Sequence, residues 1–211
     1  MDMNEKGILI VVSGFSGSGK GTLMKELLTR YPDTYALSIS ATTRLPREGE
    51  VDGREYFFVS KDEFEKMIAK GELIEYAKYV ENYYGTPRDY VEKKLDEGKD
   101  VILEIEIQGA LNVKKMFPDT LLLFVTPPSA EELRKRLVGR GTETMDVIES
   151  RMDRACEEAE GMQNYDYLIV NDSLDRCVEE MHFIIQGEHR RSSRNCEFMK
   201  EIKQDLERMK H

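Results

Sequence analysis

A run of nine residues near the start of the chain has the composition of a phosphate-binding loop. Residues 14–22 read G-F-S-G-S-G-K-G-T and directly follow the apolar run 8–12. Glycines at 14, 17 and 19 let the backbone curl so that several N–H groups point at one place. Lys20 adds a point charge, and the helix expected next adds the positive end of its dipole. The strand, loop and helix together indicate a site for a nucleotide polyphosphate. A plain glycine turn would not require the lysine or this spacing.

The loop departs from its common form at Gly21. A serine or threonine usually stands at this position and binds Mg²⁺ through its hydroxyl, whereas here Thr22 comes one residue later. Mg²⁺ often keeps several waters and is held through substrate phosphates. We therefore expect Mg²⁺ to be bound mainly through phosphates and water, with Thr22 and the strand-end acid Glu104 as the candidate side chains.

The bulk composition limits the partners. The chain has 211 residues, 31 Lys and Arg, 41 Asp and Glu, and a formal net charge of −10. This length suits one α/β domain with small insertions. The acidic balance argues against a nucleic-acid partner and against an anionic membrane surface, because both require a basic face. Positive charge should be concentrated where anions bind.

The cysteines indicate a reducing compartment. Cys156, Cys177 and Cys196 are odd in number and widely spaced, which predicts free thiols rather than a disulfide framework or a zinc site. The apolar run at 8–12 is too short for a signal peptide or a membrane span. We expect a cytoplasmic protein, with monomer and homodimer both left open. The three histidines, His182, His189 and His211, receive no catalytic role.

Apolar strands alternate with helices along the chain. Strands expected at 8–12, 101–107, 121–125 and 168–170 predict an α/β fold of three layers around a parallel sheet. The block 38–89 has short strands of its own and is interpreted as an insertion over the carboxyl ends of the sheet, where ligands bind in such folds.

Local patterns give finer expectations. Residues 35–41 are predicted as one strand, 82–85 as a tight loop, and 100–107 as a strand. Ser60 with Glu63 predicts a capping box at a helix start. A helix is expected to begin at Thr86 and Pro87. The charged tail, residues 188–211, is interpreted as a solvated face.

A second anion site is predicted inside the insertion. Arg44 and Arg47, stiffened by Pro46, form a fork able to grip a dianionic phosphate. Tyr56 and Tyr84 can add hydroxyl donors to the same group. For the arginines alone, a solvated basic loop is an equally good interpretation.

Three glutamates could recognise a base or serve a metal. Glu104 and Glu106 lie two residues apart near the end of a predicted strand, hence on one face, and Glu75 lies on an earlier strand. A carboxylate suits guanine, which offers N1–H and the 2-amino group together, whereas adenine presents an acceptor at N1. Strand-end acids near a phosphate loop also commonly anchor Mg²⁺ through water. For any single glutamate, an ordinary solvated acid stays open.

Several segments together resemble the guanylate kinase family, from the phosphate loop to about residue 173. The most specific are 40–47 (S-A-T-T-R-L-P-R), 49–53 (G-E-V-D-G), 82–86 (N-Y-Y-G-T), 104–109 (E-I-E-I-Q-G), 139–143 (G-R-G-T-E) and 170–172 (V-N-D). The resemblance implies transfer of the γ-phosphoryl group of Mg·ATP to GMP, giving ADP and GDP in guanine nucleotide biosynthesis and recycling, with dGMP as a further acceptor.

The resemblance also implies an architecture. It is that of a P-loop NTPase core (1–37, 90–127 and 152–211), a GMP-binding insertion (38–89) and a lid (128–151). The lid segment 138–144 is expected to be mobile without ligand. Phe15 stands where the family often has proline, and Gly21 where it often has serine.

Residue roles follow from the same resemblance. ATP would be bound by Gly14, Phe15, Ser16, Gly17, Ser18, Gly19, Lys20, Gly21, Thr22, Arg136 and Asn171. GMP would be bound by Ser40, Arg44, Arg47, Tyr56, Glu75, Tyr84, Thr86, Glu104 and Glu106. The catalytic residues would be Lys20, Arg44, Arg140 and Arg151, with Arg136, Arg140 and Arg151 carried by the lid. Which of Glu104 and Glu106 serves guanine and which the metal water stays open.

Two other functions compete with this one. A catalytically silent guanylate-kinase-like module would bind a phosphorylated peptide through the basic pocket, but it would be expected to lose the phosphate-loop chemistry that this chain keeps. No accessory interaction domain fits in 211 residues. A kinase for another nucleoside monophosphate is disfavoured by Glu75 and by the segment 40–47.

Overall fold

A five-stranded parallel sheet forms the centre of the protein. The computed structural model of the chain describes residues 6–79, 81–139, 141 and 144–210. In spatial order the strands are β2 (Tyr35–Leu37), β7 (Asp100–Glu104), β1 (Leu9–Gly14), β8 (Leu121–Thr126) and β9 (Tyr167–Val170). All neighbouring pairs run parallel.

Helices cover both faces of this sheet. Those on one face are α1 (Lys20–Arg30) and α7 (Leu174–His189), and those on the other are α3 (Arg88–Asp96), α4 (Ile107–Met116), α5 (Ala130–Gly139) and α6 (Met145–Ala159). The apolar residues of β1 point to both faces of the sheet. Ile10 and Val12 pack against α1 and α7, whereas Leu9 and Val11 pack on the face covered by α3, α4, α5 and α6. Side chains alternate along a strand, so a strand covered on both faces must be apolar at every position. The predicted three-layer α/β fold is confirmed.

A second, smaller sheet lies between β2 and α3 in the sequence. Its order is β4 (Phe57–Phe58), β3 (Ala41–Thr42), β6 (Asn82–Pro87) and β5 (Leu73–Tyr79). Helix α2 (Lys61–Lys70) covers it, with Phe64 fully buried against Ala41 and Leu73. The predicted capping box starts α2, since Ser60 Oγ accepts from the Glu63 N–H at 3.2 Å and Glu63 accepts from the Ser60 N–H at 2.9 Å.

The prediction of a single strand over 35–41 is wrong. Strand β2 ends at Leu37 and β3 begins at Ala41, and the two belong to different sheets. The Ser38 N–H still bonds Ile102 O at 2.8 Å, whereas Ser40 O already accepts from the Phe57 N–H at 2.9 Å. The chain therefore crosses from one sheet to the other within three residues, and alternation along one strand carries no information about which strand will pair with it.

The prediction of a tight loop at 82–85 is also wrong. These residues belong to β6, which pairs antiparallel with β5. A Cβ at Gly85 would lie 2.8 Å from Glu75 O and 3.0 Å from Phe64 Cζ. The glycine that suggested a turn instead allows a close approach of backbone and side chains within a sheet.

Two element boundaries shift. Helix α3 begins at Arg88, after Pro87, rather than at Thr86. Strand β7 ends at Glu104, and α4 starts at Ile107, so the apolar pattern over 105–107 belongs to a strand–helix junction. The tail forms α8 (Cys196–Arg208), whose residues are all exposed, but Glu188 at the start of the tail is buried and bonds to Tyr167, so the solvated-face interpretation is wrong there. Within the described ranges, no helix has the length and apolarity needed to cross a bilayer.

Replacing Phe64 by alanine tests the small core of the second sheet. Phe64 is fully buried and stacks on Tyr83 at 5.2 Å between ring centroids. We expect Phe64→Ala to lower the free energy of unfolding by about 3–5 kcal/mol, measured by urea denaturation. Phe183 is 71% exposed, so Phe183→Ala is the matched control and should change it by less than about 0.5 kcal/mol. Similar losses in both variants would contradict the assigned core.

Candidate functional site

The loop between β1 and α1 depends on glycine for both conformation and space. Gly17 and Gly19 have φ of 95° and 89°, in the left-handed region that favours glycine. A Cβ at Gly19 would lie 2.5 Å from Asn171 Nδ2, and one at Gly17 would lie 2.8 Å from a methyl carbon of Leu137. Larger residues would push the loop away from the elements beneath it.

Two side chains predicted to bind ATP fasten this loop from below. The buried Asn171 donates from Nδ2 to Ser18 O at 2.8 Å. Arg136 donates to Ser18 O at 3.2 Å and to Asn171 O at 2.8 Å, and Glu132 holds its Nε at 2.9 Å. With Ser18 O taken up in this way, the loop's backbone is anchored on the side away from the cleft.

Phe15 is placed by the core rather than by a ligand. Its ring is buried and packs edge-on against Phe124, with 5.0 Å between centroids. Ser18 is fully buried as well, whereas Ser16 is exposed beside the cleft. Phe15, which stands where the family often has proline, therefore makes an apolar contact that holds the loop against β8.

Lys20 and Arg151 both lie beside the glycine loop. Lys20 Nζ lies 3.6 Å from Glu104 Oε1, and Arg151 on α6 donates from Nη1 to Ser16 Oγ at 3.0 Å. Both side chains line a cavity of about 620 Å³ together with Gly14 and Ser16. The structure thus brings two separate positive charges, from α1 and α6, to the mouth of the glycine loop.

Position 21, where glycine replaces the usual serine or threonine, has room for a side chain with a hydroxyl group. Gly21 and Thr22 are both exposed in the first turn of α1, and apart from the helix's own backbone and the two neighbouring residues, no heavy atom of the described residues lies within 4 Å of a Cβ built at Gly21. Among the residues whose placement is described, no group of three or more His, Cys, Asp or Glu could enclose a metal ion. The carboxylate beside the loop is that of Glu104, a hard oxygen ligand of the kind Mg²⁺ prefers.

Arg44, in the loop after β3, is held by a partner that the sequence analysis missed. Glu50 accepts from both Nη1 and Nη2 of Arg44 at 2.9 Å, a bidentate pair. The hydrogen bonds from the Arg44 guanidinium and from the Arg47 N–H lower the pKa of Glu50 from its ordinary 4.5 to about 2. The sequence signal that could have identified this partner is an acid six residues after the arginine, in a proline- and glycine-rich loop.

Aromatic side chains surround the Arg44 guanidinium. Its carbon lies 5.2 Å from the centroid of the Tyr56 ring, and the Tyr56 and Tyr84 rings are 6.0 Å apart at a steep angle. Arg47 belongs to the same loop through its backbone, and its side chain is exposed. Arg44, Tyr56 and Tyr84 are therefore brought together, with Arg47 at the rim.

Glu75 and Thr86 face each other across the β5–β6 hairpin. The register pairs them directly, and Thr86 Oγ1 donates to Glu75 Oε1 at 2.7 Å. Thr86 is fully buried, and burial raises the pKa of the Glu75 carboxyl. This half-buried acceptor would become fully satisfied by a ligand that supplies further N–H donors.

The two remaining glutamates do not share a strand face, which corrects the prediction for them. Glu104 is the last residue of β7 and points to Lys20, whereas Glu106 precedes the first residue of α4. The Glu106 carboxylate instead pairs with Arg154 on α6, with Nη2 and Oε2 2.8 Å apart. The chain turns between the two residues, so strand alternation does not apply there.

One continuous cleft joins the loop to the second sheet. The cavity that contains Lys20 and Arg151 adjoins a larger one of about 1040 Å³, which is lined by Glu75 and Tyr84. The residues lining both are Ser40, Tyr56, Tyr79, Glu104, Ile105 and Glu106. The glycine loop and the tyrosines of the second predicted anion site therefore border connected cavities, whereas Arg44 and Arg47 are not among the residues that line them. Arg140, Thr142 and Glu143 lie outside the described residues, and so does part of the segment 138–144 that was expected to be mobile.

The fold and the site define an α/β nucleotide-binding protein of the P-loop class, with a second ligand region opposite the loop. The guanylate kinase family model matches residues 6–188. The chain is 53% identical to a guanylate kinase of Bacillus cereus over 203 residues, which cover 96% of this chain and 99% of the relative. It is also 53% identical to that of Lactococcus lactis, over 92% and 95% of the two chains. The chain belongs to the guanylate kinase family.

A solved structure agrees with the fold. The crystal structure of guanylate kinase from Anaplasma phagocytophilum matches with a TM-score of 0.69 at 31% identity, and the match covers 90% of each chain. The predicted P-loop NTPase architecture is confirmed at the level of the fold. The exact division into core, insertion and lid stays a prediction.

The Arg44–Glu50 pair predicts a pH dependence of stability. Because the pKa of Glu50 is lowered on folding, its ionised form stabilises the folded state at pH values above the unfolded pKa. We expect the stability advantage of wild type over Glu50→Gln, from urea denaturation, to be constant from pH 8 to 6. It should shrink as the pH falls below about 4.5 towards 2.

The control for this experiment is Glu65→Gln, which removes one exposed carboxyl from α2 without touching the arginine loop. An advantage of wild type over Glu50→Gln that grows as the pH falls would contradict the assigned ion pair.

Proposed function

We propose that this protein transfers the γ-phosphoryl group of ATP to GMP, giving ADP and GDP. The observation that carries the proposal is the single cleft bounded by the Lys20 loop on one side and by Tyr56, Glu75 and Tyr84 on the other. The relatives at 53% identity are guanylate kinases over nearly their whole length. No observation favours the catalytically silent phosphopeptide module.

The loop side is proposed to bind ATP. Backbone N–H groups of residues 14–22 and the start of α1 suit the β- and γ-phosphates. Lys20 would contact the transferred group directly, whereas Asn171 and Arg136 would hold the loop in shape and line the adenine side. Arg151, and with it Arg140, would add positive charge over the phosphates.

The second sheet is proposed to bind GMP. Arg44, held in place by Glu50, would grip the 5′-phosphate together with Arg47 and the hydroxyls of Tyr56 and Tyr84. Ser40, Glu75 and Thr86 would read the guanine, with the Glu75 carboxylate accepting its N1–H and 2-amino group. Glu104 and Glu106 both line the two cavities, and since the Glu104 carboxylate is paired with Lys20 of the phosphate loop, Glu106 is proposed for the guanine side.

The chemistry requires positioning and charge neutralisation rather than a base. The attacking phosphate oxygen of GMP is already ionised, so no proton has to be removed from it. Lys20 and the arginines stabilise the charge spread over the transferred group. Water must be excluded, since it would otherwise accept the phosphoryl group, and closure of the regions 38–89 and 128–151 over the substrates is the proposed means.

Mg²⁺ fits the residues at the loop. Glu104 and Thr22 supply oxygen atoms there, and the small number of protein ligands suits an ion held mainly through phosphates and water. When bound, the ion would neutralise charge on the phosphate oxygens. Glu104, whose carboxylate lies 3.6 Å from Lys20 Nζ, would hold that lysine beside the loop before ATP arrives.

A cytoplasmic location is part of the same proposal. Cys156, Cys177 and Cys196 are all free thiols, and Cys156 and Cys196 are exposed. Exposed free thiols persist in a reducing compartment.

The test is ADP formation in a coupled assay with a panel of acceptors: GMP, dGMP, IMP, AMP, CMP and UMP. We expect GMP to be used best, with dGMP accepted, and turnover of about 1–100 s⁻¹. An equal or better rate with AMP, or no ADP formation beyond that seen without acceptor, would refute the proposal.

Lys20→Met tests the loop. Removing the charge should lower kcat by about 10²-fold or more, because it contacts the group on which negative charge is redistributed. The far-ultraviolet circular dichroism spectrum should not change. Lys25→Met, an exposed lysine on the same helix, is the matched control and should keep wild-type kinetics. Full activity in Lys20→Met would sink the assigned role.

Glu75→Gln tests base selection. Glutamine can still accept the Thr86 hydrogen bond, but it presents one acceptor where guanine offers two donors. We expect kcat/KM for GMP to fall by about 10²-fold while KM for ATP changes by less than about twofold. Glu179→Gln, an exposed acid on α7, is the control. Equal losses for GMP and ATP would count against the assignment.

A further inference from the structure

Helix α6 presents three charged side chains to the cleft. Arg151, Arg154 and Glu158 are spaced three and four residues apart, which puts them on one face of the helix. All three line the cavity that contains Lys20. Arg151 has been given a role with the phosphates, whereas Arg154 and Glu158 have none so far.

The Arg154 guanidinium bridges two carboxylates. Its Nη2 lies 2.8 Å from Glu106 Oε2, and its Nε donates to Glu158 Oε1 at 3.1 Å. The Glu158 side chain is only 22% exposed, and burial raises the pKa of its carboxyl. The Arg154 and Glu106 side chains are 52% and 76% exposed. An ion pair so open to water contributes little to stability, of the order of 0–1 kcal/mol.

The pair does, however, define the direction in which Glu106 points in the structure. Glu106 stands at the residue before α4, where a side chain commonly turns back to accept the first N–H groups of the helix. Within the described part of the chain, its carboxylate makes no such capping bond. It reaches Arg154 instead, and this direction places it at the junction of the two cavities.

We propose that Arg154 is a positioning residue for the acceptor nucleotide. It holds the Glu106 carboxylate directed into the cleft, so that Glu106 is ready to accept guanine N–H donors. Arg154 thereby links α6, which also carries the phosphate-directed Arg151, to the recognition of the acceptor base. This inference rests on the proposed function, because it assumes that GMP is the acceptor.

The test compares Arg154→Met with wild type in the coupled assay. Methionine keeps the length of the side chain and removes the charge. We expect KM for GMP to rise about five- to tenfold, with kcat and KM for ATP changed by less than about twofold. Arg154→Lys, which keeps the charge, should recover part of the loss. The discrimination of GMP over IMP, which lacks the 2-amino group, should fall in parallel.

The matched control is Arg208→Met. Arg208 on α8 is exposed and pairs with Asp205, but it lines neither cavity of the cleft. Its kinetics should equal those of wild type. Thermal denaturation of each variant shows whether the fold is retained.

A double-mutant cycle with Glu106→Gln separates positioning from direct contact. If Arg154 acts through Glu106, Arg154→Met should have almost no further effect on KM for GMP in the Glu106→Gln background. Additive losses would overturn the proposal, and so would an unchanged or lowered KM for GMP in Arg154→Met, or a loss confined to kcat.

If wild type itself does not use GMP, the proposed function fails. If wild type uses GMP and Arg154→Met behaves like wild type, only this inference fails.

Discussion

The site depends on the close packing of the glycine loop against the elements beneath it. At Gly17 and Gly19 the backbone is left-handed, and the nearest side-chain atoms of Leu137 and Asn171 would lie 2.8 and 2.5 Å from an added Cβ. The loop can be this compact only because β8, α5 and the residue after β9 meet below it. The loop is already ordered in the folded protein. Phosphate binding therefore does not lose free energy to ordering the loop.

Charge is organised in an equally specific way. The chain carries a formal net charge of −10, yet the cleft gathers cations from separate elements. Two of these have carboxylate partners, since Lys20 has Glu104 and Arg154 has Glu106 and Glu158, and Arg44 in the loop after β3 is paired in the same way with Glu50. Neighbouring cations would repel one another without these acids, so the carboxylates hold the charges in place until phosphates arrive.

Much of the architecture could be predicted because its signals are local. Five consecutive apolar residues before the glycines, the Ser60–Glu63 cap and the alternation of strands with helices each act within a few residues. The second sheet was harder. Strands β3 and β4 have two residues each, and β6 contains a glycine and a proline, so their pairing depends on partners distant in the sequence. The carboxylates were assigned to the site by type, but Glu106 was placed on the wrong element.

The sequence by itself determined the chemistry of the two ends of the cleft. The loop residues and the arginine–tyrosine set are sufficient, by type and spacing, to indicate phosphate sites, and the longer motifs indicate the family. Only the tertiary structure decided that the glycine loop and the Tyr56, Glu75 and Tyr84 side chains border connected cavities, and that Arg154 directs Glu106. Those contacts join residues of different elements, such as α6 and the start of α4, and their distances follow from how helices and sheets pack. No local pattern encodes that packing.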